Sequence, residues 1–524
     1  MSRVQSVVQA LNFIERNLRN EVMVDDIAKA IHFSTSHFHA LFSKMTGQTP
    51  ADYIRTRRLA CAALDLAFSQ KRILDIALEY CFESQEAFTR AFKRVYRVTP
   101  GVFRKEPEYV DILTRVGLHR TREEVHRRIG SLGTVNCATT SKEELSMKPE
   151  STSDGSPGQS PSRRVLSGIP RVGFYNGGNQ CPEDIAFPSC LAATLRYLGE
   201  DYPWLTIHQH QTDWRLNLAF AEMTAASGMA FSLLWRDGWH QDNADLMFIA
   251  DPREVVRHAF EHAGYEYEII QKQGHPDDEE MMRRRIQSEL DRDRPVLAFG
   301  VIGPPECCLI TGYDEDGQVL IGWNYFQNDP ILGAGVEFEP EGYFRKRDWF
   351  RDTISAITIG EKTSRPNLRA RNREALRWAV QVATTPEVYG RHSGFEAYTA
   401  WADHLGDDEG FASLDVDELK QRHQVHDVAV SNVAECRWYA HIFLREMART
   451  EPHLAEDLQA AAAEYDNEHT LMWKAWGVLG GNGHPQAHLK LAEAEARGKL
   501  QEIIREAREC DRRAVQRLRS ALAR

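Results

Sequence analysis

The stretch that decides the fold is DDIAKAIHFSTSHFHALFSKMTGQTPADYIRTRRL, residues 25–59, because much of its pattern returns in ALEYCFESQEAFTRAFKRVYRVTPGVFRK, residues 77–105. The matched positions are Ser34 and Ser84, Phe38 and Phe88, Phe42 and Phe92, Thr49-Pro50 and Thr99-Pro100, and Tyr53 and Phe103. A second apolar helix pattern precedes each copy, at 25–31 and 73–80. The sequence therefore predicts a pair of short helices that occurs twice.

The spacing inside each copy is that of a compact all-α unit. Phe38, Leu41 and Phe42 fall on one helix face. Thr49 caps and Pro50 opens a long helix over about residues 51–69, roughly 28 Å in length. Such a helix is a rigid spacer that helps to hold two recognition helices about one DNA turn, ~34 Å, apart. The tandem repeat thus predicts two helices placed on one DNA duplex.

The distribution of charge agrees with this prediction. The chain of 524 residues has a formal net charge of −12, which looks wrong for a DNA binder. Residues 1–107, however, contain 16 Lys and Arg against 11 Asp and Glu, so this part carries +5 and the rest −17. A basic DNA-binding module joined to an acidic part with another task fits that asymmetry.

The two quoted segments resemble the DNA-binding domain of the AraC/XylS family of bacterial transcription regulators. The resemblance covers about 100 residues, and it departs from the family at Cys81, where a Gly is common. It implies a DNA-binding domain at 1–107 with one exposed face per recognition helix. The base-facing residues it implies are Thr35, Ser36, His39, Ala40, Gln85, Glu86, Thr89 and Arg90. The phosphate contacts it implies are Lys44, Arg55, Lys93, Arg94, Arg97 and Arg104.

The two implied reading faces differ in size. Ser36 and Ala40 are small, whereas Gln85 could read adenine and Arg90 guanine or phosphate. We therefore expect weaker base discrimination by the first helix than by the second.

The cysteines and the hydropathy indicate a soluble protein of a reducing compartment, and we expect it to be cytoplasmic. There are nine cysteines, an odd number, without zinc-ligand spacing. No apolar signal core and no apolar stretch approaching 18 residues is present, so no membrane role is expected. Residues 108–164 are expected to be a flexible linker, because 139–164 are rich in Ser, Pro, Gly and Thr.

The pattern changes to mixed strands and helices at 165–362. Segments 296–303, 307–314, 318–325 and 355–360 are rich in β-branched residues, and the turn at 314–317 predicts a hairpin. Ahead of them, 187–199 predicts a helix that opens at Ser189-Cys190 behind Pro188. A cysteine at a helix N-terminus is favoured as a thiolate nucleophile.

This region resembles the papain-like fold of bacteriocin-leader peptidases and of the N-terminal part of the butirosin biosynthesis acyltransferase. In those families a strand that runs into a Gly-Tyr-Asp turn carries the catalytic His. The strand is present, ending at Gly312-Tyr313-Asp314, but Glu306 stands where the His is expected. His208, His210, His240 and Asp314 remain open as substitute partners of Cys190. Without a base beside the thiol, the fold is expected to be non-catalytic.

A substrate cleft that has lost its catalytic base could still bind a small molecule, which is what a sensor domain must do. Its remnants are expected to form a ligand pocket. The pocket residues are Cys190, Phe231, Trp235, Glu306, Cys308 and Trp323. A redox or covalent-sensing role for Cys190, Cys307 or Cys308 also stays open.

The whole sequence thus predicts a multidomain chain. An all-α tandem helix-turn-helix domain is followed by an α+β papain-like domain with an antiparallel sheet, and then by an all-α helical domain at 363–524. The predicted function is a transcription regulator that binds double-stranded operator DNA and a small-molecule effector. RNA polymerase and a second copy of the chain are further expected partners, and neither a cofactor nor a metal is expected. The alternatives are an active cysteine acyltransferase or peptidase using Cys190, and a C-terminal protein-interaction module.

Overall fold

The computed structural model describes residues 6–105 and 162–524, apart from short gaps. The gaps are 8–9, 11–12, 15–16, 21, 32, 47–48, 69–70, 97–98, 175–179, 210–211, 241–242, 245–250, 274, 304–305, 329–332, 334–335, 364–366, 413, 482–483 and 485. The predicted linker therefore lies almost entirely outside the described residues. The chain divides into two compact units: Met1–Ser167 with Gln271–Pro305 and Ile310–Ala356, and Gly168–Ile270 with Glu306–Leu309 and Ile357–Arg524.

The described residues between 6 and 105 are mainly helical, as the repeat predicts. The helices are α1 (Val24–Ala30), α2 (Thr35–Thr46), α3 (Pro50–Phe68), α4 (Ile73–Glu79), α5 (Gln85–Tyr96) and α6 (Pro100–Lys105). The long spacer helix α3 has 19 residues and begins at Pro50, so its sequence-based bounds were right to one residue.

Each copy has its own aromatic core. Phe38, Phe42 and Tyr53 are in ring contact in the first copy, with centroids 5.4 and 5.8 Å apart. Phe88, Phe92 and Phe103 repeat the arrangement in the second, at 5.4 and 5.0 Å. All six rings are at most 1% exposed. The repeated positions are therefore the ones that build the two cores.

Polar contacts join the copies through α3. Arg58 donates from Nε to the Leu18 carbonyl at 2.9 Å and from Nη2 to the Asn20 carbonyl at 2.7 Å. At the other end, the Tyr80 hydroxyl donates to Asp65 Oδ2 at 3.0 Å, and Arg19 Nη2 donates to the Tyr80 oxygen at 2.9 Å. Helix α3 is thus bonded to segments before and after it.

The remainder of the first unit carries two helices and a set of strands, one of which, at 307–314, has its first three residues in the second unit. The strands are β1 (Arg164–Val165), β6 (Val296–Phe299), β7 (Cys307–Asp314), β8 (Val319–Trp323), β9 (Glu337–Phe338) and β10 (Phe344–Arg347), and the helices are α10 (Asp278–Leu290) and α11 (Trp349–Asp352). The order is β6-β7-β8-β10-β9, and β1 pairs antiparallel with β7. In the β8–β10 register, Phe344 faces Gly322 and Arg347 faces Val319. The predicted hairpin at 307–325 is present, and its strand β7 has the predicted bounds.

The first helix of the second unit begins earlier in the chain than the sequence predicted. The elements are α7 (Ala186–Tyr197), β2 (Trp204–Gln209), β3 (Thr212–Asn217), α8 (Leu218–Ala226), β4 (Leu234–Trp235), α9 (Pro252–Ala263), β5 (Tyr265–Gln271) and β11 (Ser355–Lys362). Strands β2 and β3 form an antiparallel hairpin, and β5 neighbours β11. The prediction that α7 opens at Ser189-Cys190 was wrong, because Pro188 lies within its first turn, where a missing N–H costs no helix hydrogen bond.

The end of the chain is mainly helical, as expected, but it also contains a short hairpin at 387–393 that the all-α prediction did not include. Its elements are α12 (Leu368–Thr384), β12 (Glu387–Val388), β13 (Arg391–Ser393), α13 (Phe395–Leu405), α14 (Asp408–Ala412), α15 (Val416–Thr450), α16 (Ala455–Val478), α17 (Ala487–Leu491) and α18 (Ala494–Ala523). Strand β13 pairs antiparallel with β12 and with β4.

A fully buried arginine joins α13, α15, α16 and α18. Arg437 Nε donates to Glu468 at 3.2 Å, and its Nη2 donates to Asp511 at 3.1 Å. Arg437 Nη1 also donates to the Ala230 carbonyl at 2.8 Å, and the Tyr398 hydroxyl donates to Glu468. Burial raises the pKa of Glu468 to about 8 and also raises the pKa of Asp511, while the attraction of Arg437 acts against both shifts.

None of the described helices combines the length and apolar character needed to cross a bilayer. The predicted division of the chain at 107, 164 and 362 stays a prediction.

Candidate nucleic-acid interface

Both recognition helices are capped in the same way. The Ser34 hydroxyl accepts from the His37 N–H at 3.4 Å at the start of α2. The Ser84 hydroxyl accepts from the Ala87 N–H at 3.1 Å at the start of α5. Because Phe38 and Phe88 are both fully buried, the opposite face of each helix points away from its core.

In α2 the four predicted base-facing residues are all exposed: Thr35, Ser36, His39 and Ala40. Thr35 is partly engaged, since its hydroxyl donates to Asp25 Oδ1 at 2.7 Å. The contact fixes the Thr35 rotamer and leaves its oxygen free only as an acceptor. Sequence reasoning missed Asp25, whose only signal was its place in the first turn of the preceding helix.

In α5, Gln85, Glu86 and Arg90 are exposed, and Thr89 is half-buried. The pKa of Glu86 is lowered, first by its own backbone N–H and then by the Ser84 hydroxyl and Arg90. Glu86 is therefore an ionised acceptor that could accept from a cytosine amino group and would repel a phosphate. Arg90 lies one helical turn further along on the same face.

The predicted phosphate contacts fall into three groups. Lys93 and Arg94 are exposed in the last turn of α5. Arg55 is exposed and forms an ion pair with Asp52. Arg104 is half-buried and donates from Nε to the Leu66 carbonyl at 3.3 Å, so it is held against its own domain. The side chain of Lys44 and the whole of Arg97 lie outside the described residues.

The part of the chain that contains these helices matches a known protein family. The family described as "Helix-turn-helix domain" matches residues 27–106. The HTH-type transcriptional activator AarP of Providencia stuartii is 35% identical over 108 residues, which are 20% of this chain and 80% of AarP. The Transposon Tn10 TetD protein of Escherichia coli is 44% identical over 99 residues, 19% of this chain and 72% of TetD. The chain belongs to the AraC-type helix-turn-helix family.

Other matches cover a similar share of this chain. The uncharacterized HTH-type transcriptional regulator YbfP of Bacillus subtilis is 48% identical over 100 residues, and this chain spans 34% of its length. A solved AraC-type transcriptional regulator from Chromobacterium violaceum aligns at 26% identity and a TM-score of 0.19, covering 20% of this chain and 91% of that chain. Each of these matches covers about a fifth of this chain. The AraC-type domain predicted for the start of the chain is confirmed.

The predicted nucleophile beyond the AraC-type domain lies in a closed environment. Cys190 is fully buried, and its Sγ donates to the Cys307 carbonyl at 3.6 Å. Burial, followed by the Cys190 contact, raises the pKa of Cys307. Cys308 is also fully buried, whereas Glu306 is exposed.

Three aromatic residues predicted for the ligand pocket have other close neighbours. Phe231 contacts Tyr465 with ring centroids 5.6 Å apart, and Trp235 stacks on Trp401 at 5.5 Å. Trp323 contacts Tyr343 at 4.4 Å. Phe231 and Trp235 therefore belong to the packing of the C-terminal helices.

The residues offered as substitute bases are placed as follows. Asp314 Oδ2 accepts from Arg163 Nη1 and from Arg345 Nη2, both at 2.8 Å. These two ion pairs lower the pKa of Asp314 against the effect of burial, which is the largest single influence. The side chain of His208 and all of His210 lie outside the described residues, and His240 lies beside Gly238.

Proposed function

We propose that this protein is a transcription regulator that binds operator DNA through its AraC-type domain and senses a small molecule through residues 165–524. The observation that carries the DNA-binding part is the pair of equivalent, capped and exposed helix faces, one per copy. The names of the relatives AarP and YbfP support the same role.

The spacer helix supports simultaneous contact of both copies with one duplex. Its 19 residues correspond to roughly 28 Å, close to the ~34 Å pitch of B-DNA. Because Arg58 and Tyr80 bond the two copies to each other through α3, we expect their spacing to be fixed before DNA arrives.

The salt dependence of binding tests the DNA-binding proposal. Duplexes would first be selected from a random pool with the full chain, and the affinity for the selected duplex then measured between about 50 and 200 mM salt. We expect the affinity to fall steeply, because several phosphates are neutralised. Lys93→Ala should reduce the slope by about one unit. The matched control is Lys499→Ala, an exposed cation on α18 paired with Glu495, which should leave the slope unchanged. A flat salt dependence of the unmodified chain would reject the proposal.

For the C-terminal region we propose a papain-like fold without catalysis. Residue Ala186 opens α7, so the helix position where a thiolate is stabilised holds no nucleophile. Cys190 lies in the second turn, fully buried. Glu306 stands at the position where the resemblance places the catalytic histidine, so the imidazole base expected there is missing.

Alkylation of the full chain separates this proposal from an active cysteine enzyme. Iodoacetamide labelling followed by peptide mass spectrometry should modify half-buried Cys81 well before Cys190. Cys190→Ala assigns the signal. Rapid labelling of Cys190, with a midpoint below the usual pKa of about 8.5, would favour an acyltransferase or peptidase. Dimer formation and contact with RNA polymerase stay predictions.

A further inference from the structure

The first residue of the recognition helix α2 is bonded to a carboxylate of the preceding helix. Thr35 opens α2, and its hydroxyl donates to Asp25 Oδ1 at 2.7 Å. Asp25 lies in the first turn of α1, and both residues are exposed. The N-terminal residues of a recognition helix are the ones that approach base edges in the major groove. The bond therefore lies at the end of α2 where a base is read.

Buried neighbours fix the positions of both partners. Ile27 and Ala28 anchor α1 at 0% and 1% exposure, and Phe38 anchors α2 at 0%. The two side chains that bridge the helices are short, so little rotamer entropy is lost when the bond forms. Thr35 is also β-branched, which restricts its χ1 angle before any partner is present. The bond is therefore part of the folded domain before DNA arrives.

The direction of the bond decides what Thr35 can recognise. A hydroxyl has one proton, and an ionised carboxylate can only accept. With its proton donated to Asp25, the Thr35 oxygen can accept a hydrogen bond and cannot donate one. In the major groove, the amino groups of adenine and cytosine are donors, whereas guanine N7 and O6 and thymine O4 are acceptors. Thr35 in this state thus matches adenine or cytosine.

Contact with DNA should preserve this state of the hydroxyl. A duplex seated on α2 displaces water from Asp25 and Thr35. If the hydroxyl then turned to donate to a base, the Asp25 carboxylate would lose its donor in a place that water no longer reaches. Leaving a charged group without its hydrogen bond costs more than leaving a neutral one. The proton therefore stays on the side of Asp25, and guanine or thymine meets an acceptor.

In the second copy the corresponding positions hold other side chains. Its recognition helix α5 opens with Gln85, whose amide both donates and accepts. The buried Ile76 of α4 matches Ile27 of α1, so the residue that matches Asp25 is Leu74. The bond between the two helices is therefore a property of the first copy, outside the repeated pattern.

We infer that Asp25 is a positioning residue that sets the base preference of the first copy by holding Thr35 as a hydrogen-bond acceptor. The inference rests on the proposed DNA-binding function, and it adds the class of base that the first copy accepts. The competing explanation is a purely structural role, because an acidic residue in the first turn stabilises a helix through its dipole. Asp26 lies in the same turn and serves the helix directly, since its Oδ2 accepts from the Met23 N–H at 3.3 Å.

The test uses the full chain and the duplex that it selects. Each base pair is replaced in turn by the other three, and every affinity is measured by fluorescence anisotropy. One position should favour adenine or cytosine over guanine and thymine by about fivefold, the effect of a single hydrogen bond. Thr35→Val removes the hydroxyl at nearly constant shape and should abolish this preference at that position alone. Thr35→Ser keeps the hydroxyl and should retain the preference.

Asp25→Ala tests the positioning role itself. It frees the hydroxyl to donate or accept, so the preference at the position identified with Thr35→Val should fall to about twofold or less. The matched control is Asp26→Ala, which removes the same charge from the same helix turn and also loses a hydrogen bond. It should leave the preference unchanged. A Tm for each variant shows whether it is folded.

Two outcomes would overturn the inference. One is a change of affinity with Asp25→Ala that is equal for all four bases, as expected of a structural role. The other is a set of base preferences that Thr35→Val leaves unaltered, and this result decides the matter even if Asp25→Ala does not fold.

Failure of this inference and failure of the proposed function are distinguishable. A steep salt dependence, with base preferences that neither Thr35→Val nor Asp25→Ala changes, would reject the role of Asp25 and leave DNA binding standing. A chain that selects no duplex, or whose affinity does not vary with salt, would reject both.

Discussion

The two copies of the helix pair have similar buried cores and different exposed faces. Phe38 and Phe42 are buried with ring centroids 5.4 Å apart, and Phe88 and Phe92 are buried at the same centroid distance. On the exposed faces, small Ser36 and Ala40 stand where the second copy has Glu86 and Arg90. Burial fixes size and shape at the repeated positions, whereas solvent-facing positions are free to acquire different chemistry. The comparison predicts that the copies contribute similarly to stability and unequally to DNA recognition.

Removing a core ring should have the largest effect on either copy. Phe42→Ala and Phe92→Ala should each lower the free energy of unfolding by about 3–5 kcal/mol, because a large cavity opens among closely packed rings. Urea unfolding followed by circular dichroism measures both losses. Val102→Ala, at a 44% exposed position on α6, is the control and should change little. Losses that differ strongly between the two copies would contradict the likeness of their cores.

The next largest effect is expected on DNA binding, to which the two copies should contribute unequally. Arg90→Ala should weaken binding to the selected duplex by about 1–3 kcal/mol and relax the preference at one base pair. Ser36→Ala in the first copy should cost less, because the hydroxyl is short and neutral. Fluorescence anisotropy with matched and mismatched duplexes measures both. A larger loss with Ser36→Ala would reverse the assignment of the dominant reading helix.

A smaller effect on stability is expected from Tyr80, the residue that follows the C-terminus of α4 in the second copy. Tyr80 bonds Asp65 and Arg19 there, while the corresponding residue of the first copy is the buried Ile31. Tyr80→Phe should therefore cost about 1 kcal/mol in unfolding free energy. It should also loosen the spacing of the copies, which a lower affinity for the duplex at unchanged base preference would reveal. An unchanged stability would mean that solvent replaces both bonds without loss.

The smallest change should be stabilising. Cys81 follows α4 with a φ of +59°, a left-handed conformation that strains a side chain but not glycine. Cys81→Gly should raise the unfolding free energy by about 1 kcal/mol. Cys81→Ala is the control, because it keeps a Cβ at the same φ and should bring no gain. A gain with alanine as large as with glycine would assign the effect to the thiol.

The sequence predicted local structure better than long-range packing. The two aromatic cores, helix α3 and strand β7 could be predicted because spacing within about twenty residues defines them. The neighbours of Phe231 and Trp235 could not, since Tyr465 and Trp401 come from helices far along the chain. Arg437 and His426 lie in helix α15, which contains many charged residues. The spacing of its apolar residues therefore did not predict that these two side chains are buried. The exposed recognition faces were predicted, but the bond from Thr35 to Asp25 was not, because it depends on the angle between two helices.

Helix α3 affects how the AraC-type domain unfolds. Its first half supplies Tyr53 and Ile54 to one core, and its second half supplies Leu59 and Leu66 to the other. Neither core can lose its side of this helix without exposing residues adjacent to the other, so we expect the two copies to share one unfolding transition. Amide hydrogens in both cores should then exchange with a common free energy of opening. On this view the repeated helix pair forms a single cooperative folding unit that presents two exposed helix faces.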